Sequence, residues 1–204
     1  MWTSVGLTYP RFTAQFEGRI PWMYLDIRGL VTVGLGCLID PSPVALQLPF
    51  THISSGAVAS TNEIDHEWRR MKMQLDLAKK GAGAAKLMAT LQLSEKAIDD
   101  LARARLIQNE KILKTVFHDF DAWPADAQLA VHSMAWAMGA GFMRKFPKFT
   151  AACQMQNWLL AALECKMDDS NNAGLTPRNA ANKKLFLTAA EKSALPIRII
   201  RGYP

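Results

Sequence analysis

Phe16-Glu17-Gly18, Tyr24-Leu25-Asp26 and Gly29-Leu30-Val31-Thr32-Val33-Gly34-Leu35-Gly36 set the reading of the first forty residues. Pro21 has no amide hydrogen and cannot continue a helix. Residues 11–18 are therefore expected to form one or two helical turns that stop at Pro21. Residues 23–26 and 29–36 then read as short strands, with Asp26-Ile27-Arg28-Gly29 as the turn between them. Val31, Val33 and Leu35 alternate with Thr32, Gly34 and Gly36, which is the period of a strand. Glu17 and Asp26 thus sit on two short neighbouring elements and can face each other. Glycosidases need such a pair: one carboxyl protonates the leaving oxygen, and the other activates water or attacks the sugar. The acid has to hold its proton near working pH, and Phe16, Pro21 and Trp22 are apolar groups able to bury it. An isolated Glu/Asp pair carries no chemistry by itself, since Glu17 is equally a surface acid and Asp26 a turn former.

Downstream, the pattern changes. Residues 40–62 are rich in Pro, Ser and Thr and read as a loop or lid with one helical turn. From Asn62 the chain becomes helical, with Thr61 or Asn62 as cap and Ile64, Trp68, Met71 and Leu75 on one buried face. Gly81-Ala82-Gly83 breaks it. Ser94 caps a long helix reaching about Phe120, in which Ile98, Leu101, Arg105, Ile112 and Val116 recur at helical spacing. Pro124 starts another helix that Gly139-Ala140-Gly141 ends. Further helices are expected over 148–166 and 177–192. The fold class is α+β, one domain over 1–204, with a small β-containing lobe over 10–62 and a larger helical lobe over 63–204.

The chain has 204 residues, 50% of them hydrophobic and 21% charged, which excludes a wholly disordered or fibrous protein. Its net charge of +6 suits anionic partners: nucleic acid, acidic lipid or cell-wall polymer. Three cysteines build no disulfide framework. Cys153 and Cys165, twelve apart on one helix, would lie about 18 Å from each other. The first five residues lack the pattern of a signal peptide. The most apolar stretch, 129–143, is shorter than the roughly 20 residues a membrane span needs.

The spaced set of Glu17, Asp26 and Thr32, with Gly-x-x-Thr-x-Gly-x-Gly around the last, resembles the phage-type (T-even) lysozymes and related endolysins. Two further stretches are similar to that family, in the family's order. These are Ala135-Trp136-Ala137-Met138-Gly139-Ala140-Gly141-Phe142 and the run from Gly174-Leu175 through Arg178 to Leu185-Phe186. The resemblance implies a lysozyme-like fold with a cleft and a peptidoglycan muramidase, a glycosidase that cuts between N-acetylmuramic acid and N-acetylglucosamine. It implies Glu17 as general acid, Asp26 as the second carboxylate and Thr32 as the residue that places water. Tyr24, Leu38 and Trp136 are implied as substrate contacts and Arg178 as a structural residue. The chemistry requires neither metal nor organic cofactor. The sequence departs from the family at Cys37, where a histidine is usual, and at Asn182, which stands in place of an acid. Residues 62–68 resemble lysozyme-like domains of toxins delivered by type VI secretion. The implied setting is an endolysin or antibacterial toxin acting in the periplasm or wall of a target bacterium. It would be a monomer, delivered by a holin, virion or secretion system. Peptidoglycan would be its partner and an immunity protein a possible second, with no nucleic acid and no membrane insertion. Alternatives are a non-catalytic wall-binding module and a lytic transglycosylase or chitin-type glycosidase.

Other residues have plainer expectations. Asp65-His66-Glu67 reads as a solvated first helical turn, Trp68 as core, and His132 as a hydrogen-bonded core histidine. Trp22 is placed to pack over Glu17. The interleaved Arg144-Lys145-Phe146-Pro147-Lys148-Phe149 reads as a surface loop or a patch attracted to an anionic wall.

Overall fold

A computed structural model describes residues 1–170 and 172–194. It is a mixed α+β protein with small antiparallel sheets. The chain divides into two compact units. One is Pro10–Arg105; the other joins Met1–Tyr9 to the described residues from Leu106 onward.

Helix α1 runs Thr3–Glu17, a full two turns earlier than expected. Its first turns are helical because Val5 and Tyr9, four apart and so on one face, are both buried. It ends at Gly18, whose φ of 72° breaks the helix before Pro21 is reached. Pro21 instead lies within β1 (Ile20–Leu25), where the register against the next strand shifts between Ile20 and Tyr24. Proline is tolerated at such an irregularity because it has no amide hydrogen to leave unpaired.

Strands β2 (Val31–Gly34) and β3 (Cys37–Leu38) complete a three-stranded sheet in the order β1-β2-β3. The expected one-sided alternation is absent: all four residues of β2 are buried. Gly34 explains part of this, because Ile98 closes on it. A Cβ at Gly34 would lie 3.2 Å from Ile98 Cγ2, and its φ is +68°.

The expected loop over 40–62 holds a 3-10 turn at Ser42–Gln47 and a strand, β4 (Thr51–His52). β4 pairs with β5 (Leu91–Gln92), forty residues on, a partner no local pattern announces. Helix α2 spans Thr61–Lys72, but its cap is Ser60. Ser60 and Glu63 form a capping box, each satisfying the other's backbone N–H. Ile64 and Met71 are buried as expected. Leu75 lies beyond the helix and is exposed, and Trp68 is only half-buried, donating its indole N–H to Ile39 O at 2.9 Å. Glu67 is not solvated: it is 2% exposed. Short helices α3 (Leu77–Lys80) and α4 (Ala82–Ala85) meet at Gly81, where the sequence predicts a break, and both pack on β1. Ser94 accepts from Ala97 N–H at the start of α5 (Glu95–Lys114), six residues shorter than expected.

In the other unit, α6 (Ala125–Met138) starts after Pro124 and stops at Gly139, as the sequence predicts. The helix expected over 148–166 is two, α7 (Pro147–Gln154) and α8 (Trp158–Glu164), divided where Gln156 takes φ 52°. The fold-back overturns the 18 Å spacing: α7 packs on α8, and Cys153 and Cys165 sit close enough to raise one thiol through the other, after burial, its larger cause. Both are free thiols. Helix α9 (Leu175–Ala194) packs on α6 and α8. Aromatic rings of Trp123, Trp158, Phe149 and Phe186 fill this core. Phe142, Phe146 and Phe149 pair edge to face or tilted within it, while Arg144, Lys145 and Lys148 are exposed. The basic-aromatic run therefore offers no stacking platform; its rings are spent on packing. Among the described residues, both ring nitrogens of buried His132 lack a hydrogen-bond partner, against expectation. No described helix is long and apolar enough to cross a membrane.

Candidate active site

The residues expected to carry chemistry fall on both units. Glu17, Tyr24, Asp26, Thr32 and Leu38 belong to Pro10–Arg105, and Trp136 and Arg178 to the other.

Glu17 is the last residue of α1, half-buried. Gly18 turns the chain immediately after it, with its N–H bonded to Ala14 O at 3.1 Å. Because only glycine takes φ of 72° without strain, the helix end and the carboxylate position are set together.

Tyr24 pairs with Thr32 across β1 and β2, and Thr32 pairs with Leu38 across β2 and β3. Paired residues point to the same face of a sheet. Three expected site residues therefore form one cross-strand row: Tyr24 half-buried, Thr32 at 4% and Leu38 at 44% exposure. Thr32, in the middle of the row, is the most buried of the three. Thr32 Oγ1 donates to Leu30 O at 3.1 Å, so its hydrogen is committed and its lone pairs are what it offers a ligand.

Asp26 follows β1 directly. Its Oδ1 accepts from the N–H of Arg28 at 2.8 Å and of Leu30 at 2.9 Å, closing the 26–29 turn. Gly29 N–H adds a bond to Asp26 O, and φ of 73° makes glycine the fitting residue there. One carboxylate oxygen thus builds the turn, and the other lies outside those two bonds.

The electrostatics tie these elements together. The Tyr24 hydroxyl is pushed well above its usual value, first by burial and then by the negative charges of Glu17 and Asp26. Both expected carboxylates therefore act on the same phenol. The Cys37 thiol is pushed up to about 11 by burial, with Glu17 adding and Arg105 opposing. Cys37 occupies a buried place on β3, where it is an inert, protonated thiol.

Arg105 belongs to this neighbourhood, and the sequence reading passed it over as one member of an apolar series. Its Nη1 donates to Gly36 O at 3.1 Å, at the glycine turn between β2 and β3. The signal was present: a guanidinium seven residues after Ile98 lies on the helical face that meets the glycine-rich strand. A second omission is the pair Lys72–Asp40. Lys72 Nζ donates to Asp40 Oδ2 at 2.6 Å and to Gly29 O at 2.8 Å, and Asp40 accepts from Val31 N–H at 3.1 Å. Against a burial cost that raises it, the Lys72 ammonium and the Val31 N–H hold the Asp40 carboxyl below its usual range. The pair clamps the 26–29 turn to α2. Nothing in local sequence links residues 32 apart.

Trp22, expected over Glu17, makes its described contacts with α4 and the residue that follows it. Its indole N–H donates to Ala82 O at 2.9 Å, and Lys86 Nζ lies 5.2 Å from its ring centroid. In the other unit, Trp136 is 4% exposed and tilted against Tyr9 at 5.4 Å between centroids. Arg178 is 2% exposed, with Nη1 donating to Ser133 O at 3.1 Å. Asn182, one turn on, is fully buried, and both its amide atoms lack a hydrogen-bond partner among the described residues. No protein-family model matches the chain, and no curated protein matches it.

Proposed function

We propose that this chain is a peptidoglycan muramidase of lysozyme-like fold, hydrolysing the β-1,4 bond between N-acetylmuramic acid and N-acetylglucosamine. The observation that supports it is the cross-strand row of Tyr24, Thr32 and Leu38, with Asp26 held in the turn that follows β1. Glu17 protonates the leaving glycosidic oxygen. Asp26 stabilises the oxocarbenium-like sugar or draws a proton from water. Thr32 Oγ1, its own hydrogen held by Leu30 O, accepts a hydrogen bond from that water and leaves the water's lone pair free for the anomeric carbon. Attack from the face opposite the leaving group inverts the centre, which fits carboxyls roughly 6.5–9.5 Å apart, against roughly 5–5.5 Å for retention. Tyr24 and Leu38 contact the glycan, while Trp136 and Arg178, both buried, support the helical unit. The setting in keeping with this chemistry is an endolysin or delivered antibacterial toxin acting on the wall, with an immunity protein in producing cells as a further partner.

One observation favours a second reading. Asp26 Oδ1 is engaged by two backbone N–H groups, as a turn former requires, which suits a non-catalytic wall-binding module.

One experiment separates them. Purified peptidoglycan is digested with the wild type and with Glu17→Gln, and products are identified by reducing-end labelling and mass analysis. New reducing N-acetylmuramic ends from the wild type, with a loss of about 10²–10⁴-fold in the variant, are expected for loss of a general acid. Anhydro-muramyl ends would mark a transglycosylase instead. A folded wild type that binds but never cuts peptidoglycan would leave the binding module.

A further inference from the structure

We propose that the turns carrying Ile27, Arg28, Leu75 and Leu87, with Lys79 and Lys80 of α3, form a peripheral docking surface for an anionic phospholipid bilayer. One of these turns begins at Asp26, but the surface stands without the proposed catalytic chemistry.

The first observation is apolar exposure in an unusual place. Ile27 is 93% exposed, Leu87 91%, Met73 74% and Leu75 61%. All four lie on turns. Single exposed apolar residues are ordinary on protein surfaces, but these all fall on turns that adjoin β1 or the helices packed on it. A Cβ on Gly29 would lie 3.3 Å from Leu75 Cδ2, so Leu75 rests on the same turn that bears Ile27 and Arg28. Lys72 fastens the end of α2 to that turn through Gly29 O. Helices α3 and α4 follow directly and pack on β1. Trp22, also on β1, holds Ala82 O and underlies Lys86, the residue before Leu87.

The second observation is unpaired positive charge. Arg69, Arg70 and Lys72 are each committed to a carboxylate: Asp65, Glu67 and Asp40. Arg28, Lys79 and Lys80 are exposed and form no ion pair among the described residues. Between residues 73 and 87 the sequence holds one carboxylate, Asp76, against three lysines.

Apolar tips flanked by free cations match an interface whose outer layer is anionic and whose inner layer is hydrocarbon. An anionic polysaccharide would satisfy the lysines and leave Ile27 and Leu87 in water. A protein partner would be expected to present a central aromatic or arginine anchor in a pocket, whereas these side chains project singly from turns.

The test is co-sedimentation of the purified protein with vesicles of equal parts phosphatidylcholine and phosphatidylglycerol, with pure phosphatidylcholine vesicles as control. The wild type is expected to partition at least about tenfold more strongly onto the anionic vesicles. Lys79→Gln/Lys80→Gln removes two charges and should weaken this about twenty-five-fold, at roughly fivefold per cation. Ile27→Ser/Leu87→Ser should weaken it severalfold at unchanged charge. Each altered side chain is exposed, so the thermal transition of both variants should match the wild type. Equal or absent binding to the two vesicle types overturns the proposal. So does full binding by the serine variant, which would leave charge alone and point to an acidic protein or wall polymer.

Discussion

Thr32 shows how one side chain can be both structural and chemical. Its methyl group is buried in β2, and its hydroxyl hydrogen is spent on Leu30 O. Valine fills nearly the same space without the oxygen. On the proposed mechanism Thr32→Val leaves folding within about 1–3 kcal/mol of the wild type, the cost of one lost buried hydrogen bond and an orphaned carbonyl. Yet it should lower peptidoglycan hydrolysis about a hundredfold, because the water is no longer held. Thermal unfolding and reducing-end release, measured on the same preparation, check both halves. Asp26 and Gly34 make the complementary point. Asp26 is legible as a turn former from Asp-x-x-Gly alone, whereas the closeness of Ile98 to Gly34 is a contact across 64 residues that the glycine pattern does not name.

Among the elements, α2 and the β4–β5 ladder depend on one buried carboxylate. Glu67 Oε1 accepts from the N–H of Thr90 at 3.0 Å and of Leu91 at 3.1 Å, and Oε2 receives the Thr90 hydroxyl and Arg70 at 2.8 Å. Arg70 also reaches Met88 O at 2.6 Å. The carboxylate thereby pins the start of β5 to α2. Glu67→Ala leaves several donors and one guanidinium unmatched, and should cost about 3–5 kcal/mol. Glu67→Gln keeps one acceptor and should cost less, about 1–3 kcal/mol. Urea denaturation, read as a shift in midpoint at constant slope, measures both; a midpoint unchanged in the alanine variant would remove Glu67 from this role. Helix periodicity located α2 and placed Ile64 and Met71 inside. It assigned Glu67 to solvent because a carboxylate in a helix is normally exposed, and the donors that reverse that assignment come from residues 23 and 24 positions away.

At the scale of the molecule, His132 makes stability depend on pH. It is buried in α6 between the rings of Tyr9 and Phe120, with neither nitrogen hydrogen-bonded among the described residues. Burial lowers its pKa to about 4; nearby Glu110 works against this, while the N-terminal amine and Lys114 add to it. The native ring is therefore neutral down to about pH 4, while the unfolded ring takes up a proton below its ordinary value of about 6.5. The unfolded state binds more protons in that window, so stability falls as pH drops from about 6.5 to 4 and this contribution then levels off. The shift corresponds to about 3 kcal/mol. His132→Leu should flatten that slope. Urea midpoints at pH 7, 5.5 and 4 for wild type and variant isolate it from carboxylates such as Glu110 and Asp40, which titrate lower in both proteins.

By itself, the sequence determined the mixed α+β class, the strand–turn–strand around Asp26, the breaks at Gly81 and Gly139, and the α6 and α9 helices. Each rests on a local rule: a turn residue's side chain, a glycine's positive φ, or a 3.6-residue period. It also nominated Tyr24, Thr32 and Leu38, though as separate residues. Tertiary structure alone aligned those three in one row, brought Arg105 to the Gly36 carbonyl, paired β4 with β5 and folded α8 back on α7. It also carried α1 back to Thr3, by burying Val5 and Tyr9. All of these rest on contacts between residues far apart in the chain. Their energy is absent from any short window of sequence and is gained only when the backbone closes.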